Sequence, residues 1–173
     1  MDKLIITPKT KIFDLLEAYP ELEDTLINSA PEFKKLQNPV LRKTITRITN
    51  IGQAAVIGGL KVEDLVNRLR EKAGQTAIEQ MDNTGDKYIT DCPSWYDRIK
   101  VVKTIDIREM LNKGEQPVHE VIPAIKSLNK GEILEVIAPF IPAPLIDKSI
   151  SLEYKHWLEK KSGTEYRVFF TGK

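Results

Sequence analysis

The chain has 173 residues, 41% hydrophobic and 29% charged, with a net charge of +1. That length suits one modest domain or two small ones, and the composition excludes a disordered chain. One cysteine, Cys92, excludes an internal disulfide framework, and no apolar run reaches the ~20 residues that span a bilayer.

The apolar stretch near the N-terminus, Leu4 to Ile6, is too short for a signal peptide. With no disulfides and no span, the expected compartment is the cytoplasm, with no membrane partner. Charge is spread unevenly: residues 1–74 carry +2, residues 75–97 carry −4 and residues 98–173 carry +3. None of these is the basic excess that phosphate-backbone binding demands, which argues against nucleic acid as a partner.

Residues 1–74 read as a small helical domain. Thr10 is placed to cap a helix with Ile12, Leu15, Leu16 and Tyr19 on one face. Pro20 starts another with Leu22, Leu26 and Ile27, and Pro31 stops it, leaving Phe33 and Leu36 in a connecting turn. Asn38-Pro39 combines a capping side chain with a proline at the first helical position. The helix that follows offers Val40, Leu41, Ile45 and Ile48. Asn50 caps a short small-residue helix that Gly58-Gly59 ends. The last helix buries Val62, Leu65, Val66 and Leu69, and Gly74 closes it.

Residues 75–97 read as an acidic linker centred on Asp82-Asn83-Thr84-Gly85-Asp86. Tyr88, Ile89, Trp95 and Tyr96 are too apolar for a free tether, so its second half is expected to pack on a domain surface.

Residues 98–173 read as an α/β domain. Val101 to Ile107 is strand-like. Pro117 starts a helix with Val118, Val121, Ile122, Ile125 and Leu128, where Pro123 predicts a kink. Asn129-Lys130-Gly131 ends it before a strand at Glu132 to Ala138. Pro139, Pro142 and Pro144 precede a short helix at Leu145 to Ile150. Tyr154, His156 and Trp157 favour a strand, and Lys161-Ser162-Gly163-Thr164 turns into Tyr166 to Phe170. The fold class is therefore two-domain, α followed by α/β. The second part is a two-layer sandwich of order β-α-β-α-β-β with helices on one face.

Four motifs of this second part carry a resemblance: Asp106-Ile107-Arg108, Gly114-Glu115-Gln116-Pro117, Leu128-Asn129-Lys130-Gly131-Glu132 and Pro142-Ala143-Pro144-Leu145. On them, residues from about Trp95 onward resemble the family called domain of unknown function 2249, itself similar to the TusA/SirA sulfur carriers. Residues 4–74 resemble the family called domain of unknown function 1858, which includes the N-terminal region of ScdA-type proteins. The residues that carry this are Ile12 to Pro20, Asn38 to Arg42 and Gly58-Gly59-Leu60. The first resemblance implies a carrier whose cysteine opens the first helix in a Cys-Pro-x-Pro motif. A thiolate there gains from backbone N–H groups and the helix dipole. This chain has Gln116-Pro117-Val118-His119 instead, so persulfide relay through that site is chemically impossible.

Arg108, Gln116 and His119 are the candidate ligand-binding residues, since the resemblance brings the first strand's end beside the first helix's start, where anions bind. The alternative is that Pro117 merely starts the helix, His119 is solvated and Arg108 pairs with a carboxylate. Phe140, Ile141 and Leu145, on a proline-stiffened loop, are a candidate interaction surface or a buried hinge. Asp91 beside Cys92 disfavours the thiolate, which points to an incidental thiol. His119 and His156 are the only histidines, and without HxxxH or CxxC spacing no metal or cofactor is expected. Ala55 to Leu65 has helix-turn-helix spacing, but Glu63 and Asp64 at the second helix's start would meet phosphates.

The expected function is a non-enzymatic binding or interaction module, taking a protein or small anionic ligand. By resemblance its setting is bacterial redox, sulfur or nitrogen-oxide metabolism. The alternatives are sulfur relay through Cys92 and a helix-turn-helix-like DNA-binding regulator using Arg68 and Arg70.

Overall fold

A computed structural model describes residues 3–81 and 87–173. The acidic turn read as the centre of a linker, residues 82–86, lies outside them. The chain divides into two compact units, residues 1–86 and 87–173.

The first unit is helical: α1 (Ile12–Ala18), α2 (Glu23–Ile27), α3 (Pro39–Ile48), α4 (Ile51–Ile57) and α5 (Val62–Lys72). Tight 3-10 turns at Pro20–Leu22 and Pro31–Gln37 join the early helices, and the second buries Phe33 and Leu36. Asn38 caps α3 by accepting the Val40 and Leu41 amides. Asn50 and Gln53 form a reciprocal capping box at the start of α4. The α5 stripe of Val62, Leu65, Val66 and Leu69 is buried as its spacing demands.

Two expectations for this unit need correction. Lys11, not Thr10, flanks α1, and Thr10 Oγ1 instead accepts the Thr7 amide at 2.9 Å, closing a turn before the helix. Of the α3 residues expected inside, only Ile45 is buried, while Thr44 and Thr46 join it and Val40 is exposed. Their hydroxyls donate to the Val40 and Arg42 carbonyls one turn back, at 3.2 and 2.7 Å. With the hydroxyl satisfied within the helix, threonine packs through its methyl group.

Residues 75–81 return to the helices. Gln75 accepts the Ile6 amide and donates to the Leu4 carbonyl and the Tyr19 hydroxyl. The Asn67 amide side chain exchanges two hydrogen bonds with the backbone of Ile78.

The second unit holds β1 (Val101–Asp106), α6 (Ile107–Asn112), α7 (Val118–Lys126), β2 (Ile133–Ala138), α8 (Ala143–Ser151), β3 (Lys155–Ser162) and β4 (Glu165–Thr171). The sheet order is β1-β2-β4-β3, with β1 and β2 parallel and the other pairs antiparallel. A parallel pair needs a crossover, which α6 and α7 supply.

Helix α6 is the element the sequence reading lacked, so the order is β-α-α-β-α-β-β. The strand stops at Asp106 because its carboxylate accepts the Arg108 amide at 3.1 Å and caps α6. Ile107 and Leu111, four apart and both buried, then give the short helix its inner face. β-branched Ile107 looked like the strand's last residue because it follows β-formers directly. Helix α7 runs through Pro123, which has no N–H to offer the His119 carbonyl.

Gly58 shows how tightly the helical unit closes. A β-carbon there would stand 2.8 Å from the Phe33 ring and 2.9 Å from the Ala30 β-carbon. Gly58→Ala should therefore destabilise this unit by about 1–3 kcal/mol through overpacking. Urea denaturation of the intact chain checks this, and a stability equal to wild type would contradict it.

Candidate functional site

Register decides what each face of the sheet carries, since paired residues on neighbouring strands point the same way. Ile105, Val136, Val168 and Leu158 lie in one row, and Leu134, Phe170 and His156 in the next. These residues are buried on the side that the helices cover. The opposite face carries Thr104, Glu135, Phe169 and Trp157 in one row, with Ile133, Thr171 and Lys155 beside it.

That second face has three zones. In its centre Trp157 stacks on Phe169 at 5.0 Å between ring centres, and Tyr96 meets both edge-on. Ile133 completes the cluster, with Trp95 and Val101 packed against it. Residues 87–97 thus supply the aromatic cover that the helices do not.

Beside the aromatic zone lies a lattice of ions. Glu135 is only 2% exposed, although it sits in the apolar run of β2. Its carboxylate accepts Arg167 Nη1 at 2.8 Å, Thr104 Oγ1 at 2.9 Å and Arg98 Nη1 at 3.4 Å. Arg167 also grips Glu165 through Nε and Nη2 at 3.0 and 2.9 Å. Arg108 binds Asp106 through Nε and Nη2 and reaches Glu165 at 3.9 Å. The Arg108 guanidinium holds the Asp106 carboxyl below the usual carboxylate range. Every arginine here already has a carboxylate, so the lattice is a structural network with little left for an incoming anion.

At the other end of the face is an open cleft of about 260 Å³, lined by Trp95, Lys130, Glu153, Lys155, Thr171 and Lys173 among others. Three lysines and one carboxylic acid are among its lining residues. Lys130, Lys155 and Lys173 are exposed, and no salt bridge engages them among the described residues. Lys173 sits 4.5 Å over the Tyr154 ring. Glu153 adopts φ +64°, a left-handed conformation that non-glycine residues seldom take. Such a set attracts anions, and an indole beside it offers an apolar wall. This is the candidate ligand site.

The residues expected from the sequence fall elsewhere. Gln116 and His119 are exposed at the start of α7. Arg108 is committed to Asp106 and Glu165, and no hydrogen bond or ion pair joins it to Gln116 or His119 among the described residues. Phe140 and Leu145 are buried, at 7% and 5% exposure, and Ile141 is half-buried, so the trio presents little surface to a partner. Cys92 is exposed, with Sγ 3.9 Å from the Pro93 carbonyl. Arg70 donates to the Ile6 and Thr76 carbonyls and Arg68 to Ser29 Oγ, so both serve the helical unit's own structure. Among the described residues no three His, Cys, Asp or Glu side chains gather as a metal site would, and no helix is long and apolar enough to cross a membrane.

The cleft escaped the sequence reading because its residues are scattered from position 95 to position 173, and the one motif that reaches it, at Lys130-Gly131, reads locally as a helix end. Glu135 did leave a signal, a lone acid inside an apolar strand.

The family model for Domain of unknown function (DUF1858) matches residues 6–66, in agreement with the resemblance of the N-terminal half. No curated protein and no solved structure matches the chain.

Removing one partner from the ion lattice tests its structural role. Arg167→Leu should destabilise the second unit by about 1–3 kcal/mol, because it strips the shortest hydrogen bond from buried Glu135. The double change Glu135→Leu with Arg167→Leu should recover most of that loss, since it removes the buried carboxylate along with its partner and leaves only the more exposed Glu165 and Arg98 to solvent. A double variant weaker than Arg167→Leu alone, by thermal or chemical melts, would overturn this account.

Proposed function

We propose that this chain is a non-enzymatic binding protein of the cytoplasm, whose second unit holds a small anionic ligand in the cleft beside Trp95. The cleft itself carries the reading: three lysines with no salt bridge among the described residues, one acid and a tryptophan around one open space. The ammonium groups hold the ligand's charge as mobile point contacts. Trp95 packs against a flat or apolar part, and Glu153 accepts from any donor on the ligand. Nothing in that set is a nucleophile paired with a base, so the chemistry it offers is capture and release.

The resemblance of the second half to the domain of unknown function 2249 family and to TusA/SirA carriers fits this reading. In that comparison the element before the first carrier helix holds a reactive cysteine, and Gln116 stands there in this chain. A carrier scaffold without its sulfur is left with binding. The same resemblance suggests a setting in redox, sulfur or nitrogen-oxide metabolism. The helical unit then serves as an adaptor.

Titration of the intact chain with inorganic phosphate and with AMP, followed by tryptophan fluorescence and calorimetry, tests the assignment. The double variant Lys130→Gln, Lys155→Gln should weaken binding roughly tenfold, about 1.4 kcal/mol. The double variant Gln116→Ala, His119→Ala should leave it unchanged. The reverse pattern would move the site to the start of α7, and tight binding indifferent to both would end the anion reading. Salt should weaken binding steadily, because the lysines are solvent-exposed.

A further inference from the structure

Residues 87–97 wrap round the free edge of β3, from the helix side of the sheet to the helix-free face. On the helix side Tyr88 is buried, its hydroxyl donating to Asp147 Oδ1 at 2.8 Å and its ring meeting His156 edge-on. Ile89 is held at both backbone groups. Its carbonyl accepts the Leu158 amide at 2.8 Å, and its own amide donates to His156 Nε2 at 3.0 Å. The next carbonyl, of Thr90, accepts the Trp157 indole N–H at 3.1 Å. Past these anchors, Trp95 and Tyr96 cover the aromatic cluster, and Trp95 becomes one wall of the cleft.

One anchor depends on a lone pair. An amide donating to Nε2 requires a neutral imidazole with its proton on Nδ1. Adding a proton at Nε2 turns that acceptor into a donor, so two N–H groups face each other and the Ile89 amide loses its partner. Burial also pushes the imidazole below its ordinary range, with the Asp147 carboxylate opposing. Neutral His156 is therefore the form that docking favours. The docking free energy is complete above the ordinary imidazole range and is lost as pH falls through that range toward the docked value.

The groups facing His156 favour the charged form less than burial disfavours it. From residues 87–97 comes Tyr88, whose phenol is itself raised by burial and by Asp147. From α8 comes Asp147, whose Oδ1 already takes the Tyr88 hydroxyl and the Lys87 ammonium at 2.9 Å. From β4 the paired residue is Phe170, which carries no charge.

We propose that His156 is a proton-operated latch: protonation at Nε2 releases residues 87–97 from the edge of β3 and withdraws Trp95 from the cleft. The release stands on the strap geometry alone. Its effect on ligand rests on the cleft being the ligand site.

Intrinsic tryptophan fluorescence and far-UV circular dichroism of the intact chain, from about pH 8 to about pH 5, read the release directly. The expected result is a one-proton emission change below the ordinary imidazole range, with secondary structure intact. His156→Gln keeps an oxygen that accepts the Ile89 amide and does not titrate, so its emission should stay flat. The same transition in His156→Gln would overturn the proposal, as would a wild-type signal that moves only with global unfolding. Hydrogen exchange in the wild type needs no variant: protection at Ile89 should fall at least tenfold across the transition while Phe169 is unchanged, and equal loss at both would also overturn it. AMP added at each end of the titration separates the two ideas. Binding lost together with the strap supports the coupling. Binding that survives release overturns the coupling, and AMP that binds at neither end removes the cleft reading while fluorescence still decides the latch.

Discussion

A sheet with apolar side chains on both faces and helices on only one must find another cover, and the second unit is arranged around that constraint. The helix side is filled by Leu134, Val136, Val168 and Phe170, all fully buried. The other side carries Ile133, Trp157 and Phe169 at its centre, and among the described residues of the second unit no helix packs on that cluster. Leaving those rings in water would forgo much of the free energy that aromatic burial contributes. Residues 87–97 solve this by crossing the β3 edge and laying Trp95 and Tyr96 on the cluster. The same crossing shields that edge, whose free N–H and C=O groups invite another strand. The opposite edge, β1, is handled differently, with Lys100 and Lys103 on or beside it and an irregular register between Val101 and Lys103.

The cover is incomplete, and what lies on either side of the aromatic zone follows from that. Near the ends of β1 and β2 and the start of β4 the face is polar, and polar groups under partial cover must be paired. Glu135 is the extreme case, nearly buried and bound by two arginines and a threonine. Near the start of β2 and the end of β4 the lysines extend into solvent and have no such partners among the described residues. The two charged zones therefore differ in kind. One spends its charges within the fold, and the other leaves them available.

What the sequence made legible follows the range of the interaction responsible. Local signals were readable: Asn38-Pro39, the Asn50 cap, the α5 stripe and the turn at Gly163 each act over a few residues, and the strand–helix alternation gave the two-part fold class. Misreadings came where tertiary context overrode local preference. Thr44 and Thr46 are buried because their hydroxyls bond back along α3, which no periodicity of apolar residues reveals. Ile107 opens a helix because Asp106 caps it, although its side chain favours a strand. The site was less legible than the fold. Arg108 was chosen for its nearness to a helix start, but a carboxylate two residues earlier holds its guanidinium.

Residues 87–97 tie the edge of the sheet to the candidate site. They are the only described cover that the aromatic cluster has from outside the sheet, so their docking and the shape of the cleft are one equilibrium. That docking is built from a few hydrogen bonds and three aromatic rings, at a segment where Ile89 remains about half exposed. Segments held this lightly open more readily than the strands beneath them. A binding site walled by such a segment can respond to conditions without any change in the sheet, because the wall and the floor have different stabilities. The fold therefore separates a four-stranded sheet with its helices from a lightly held segment that lines the cleft.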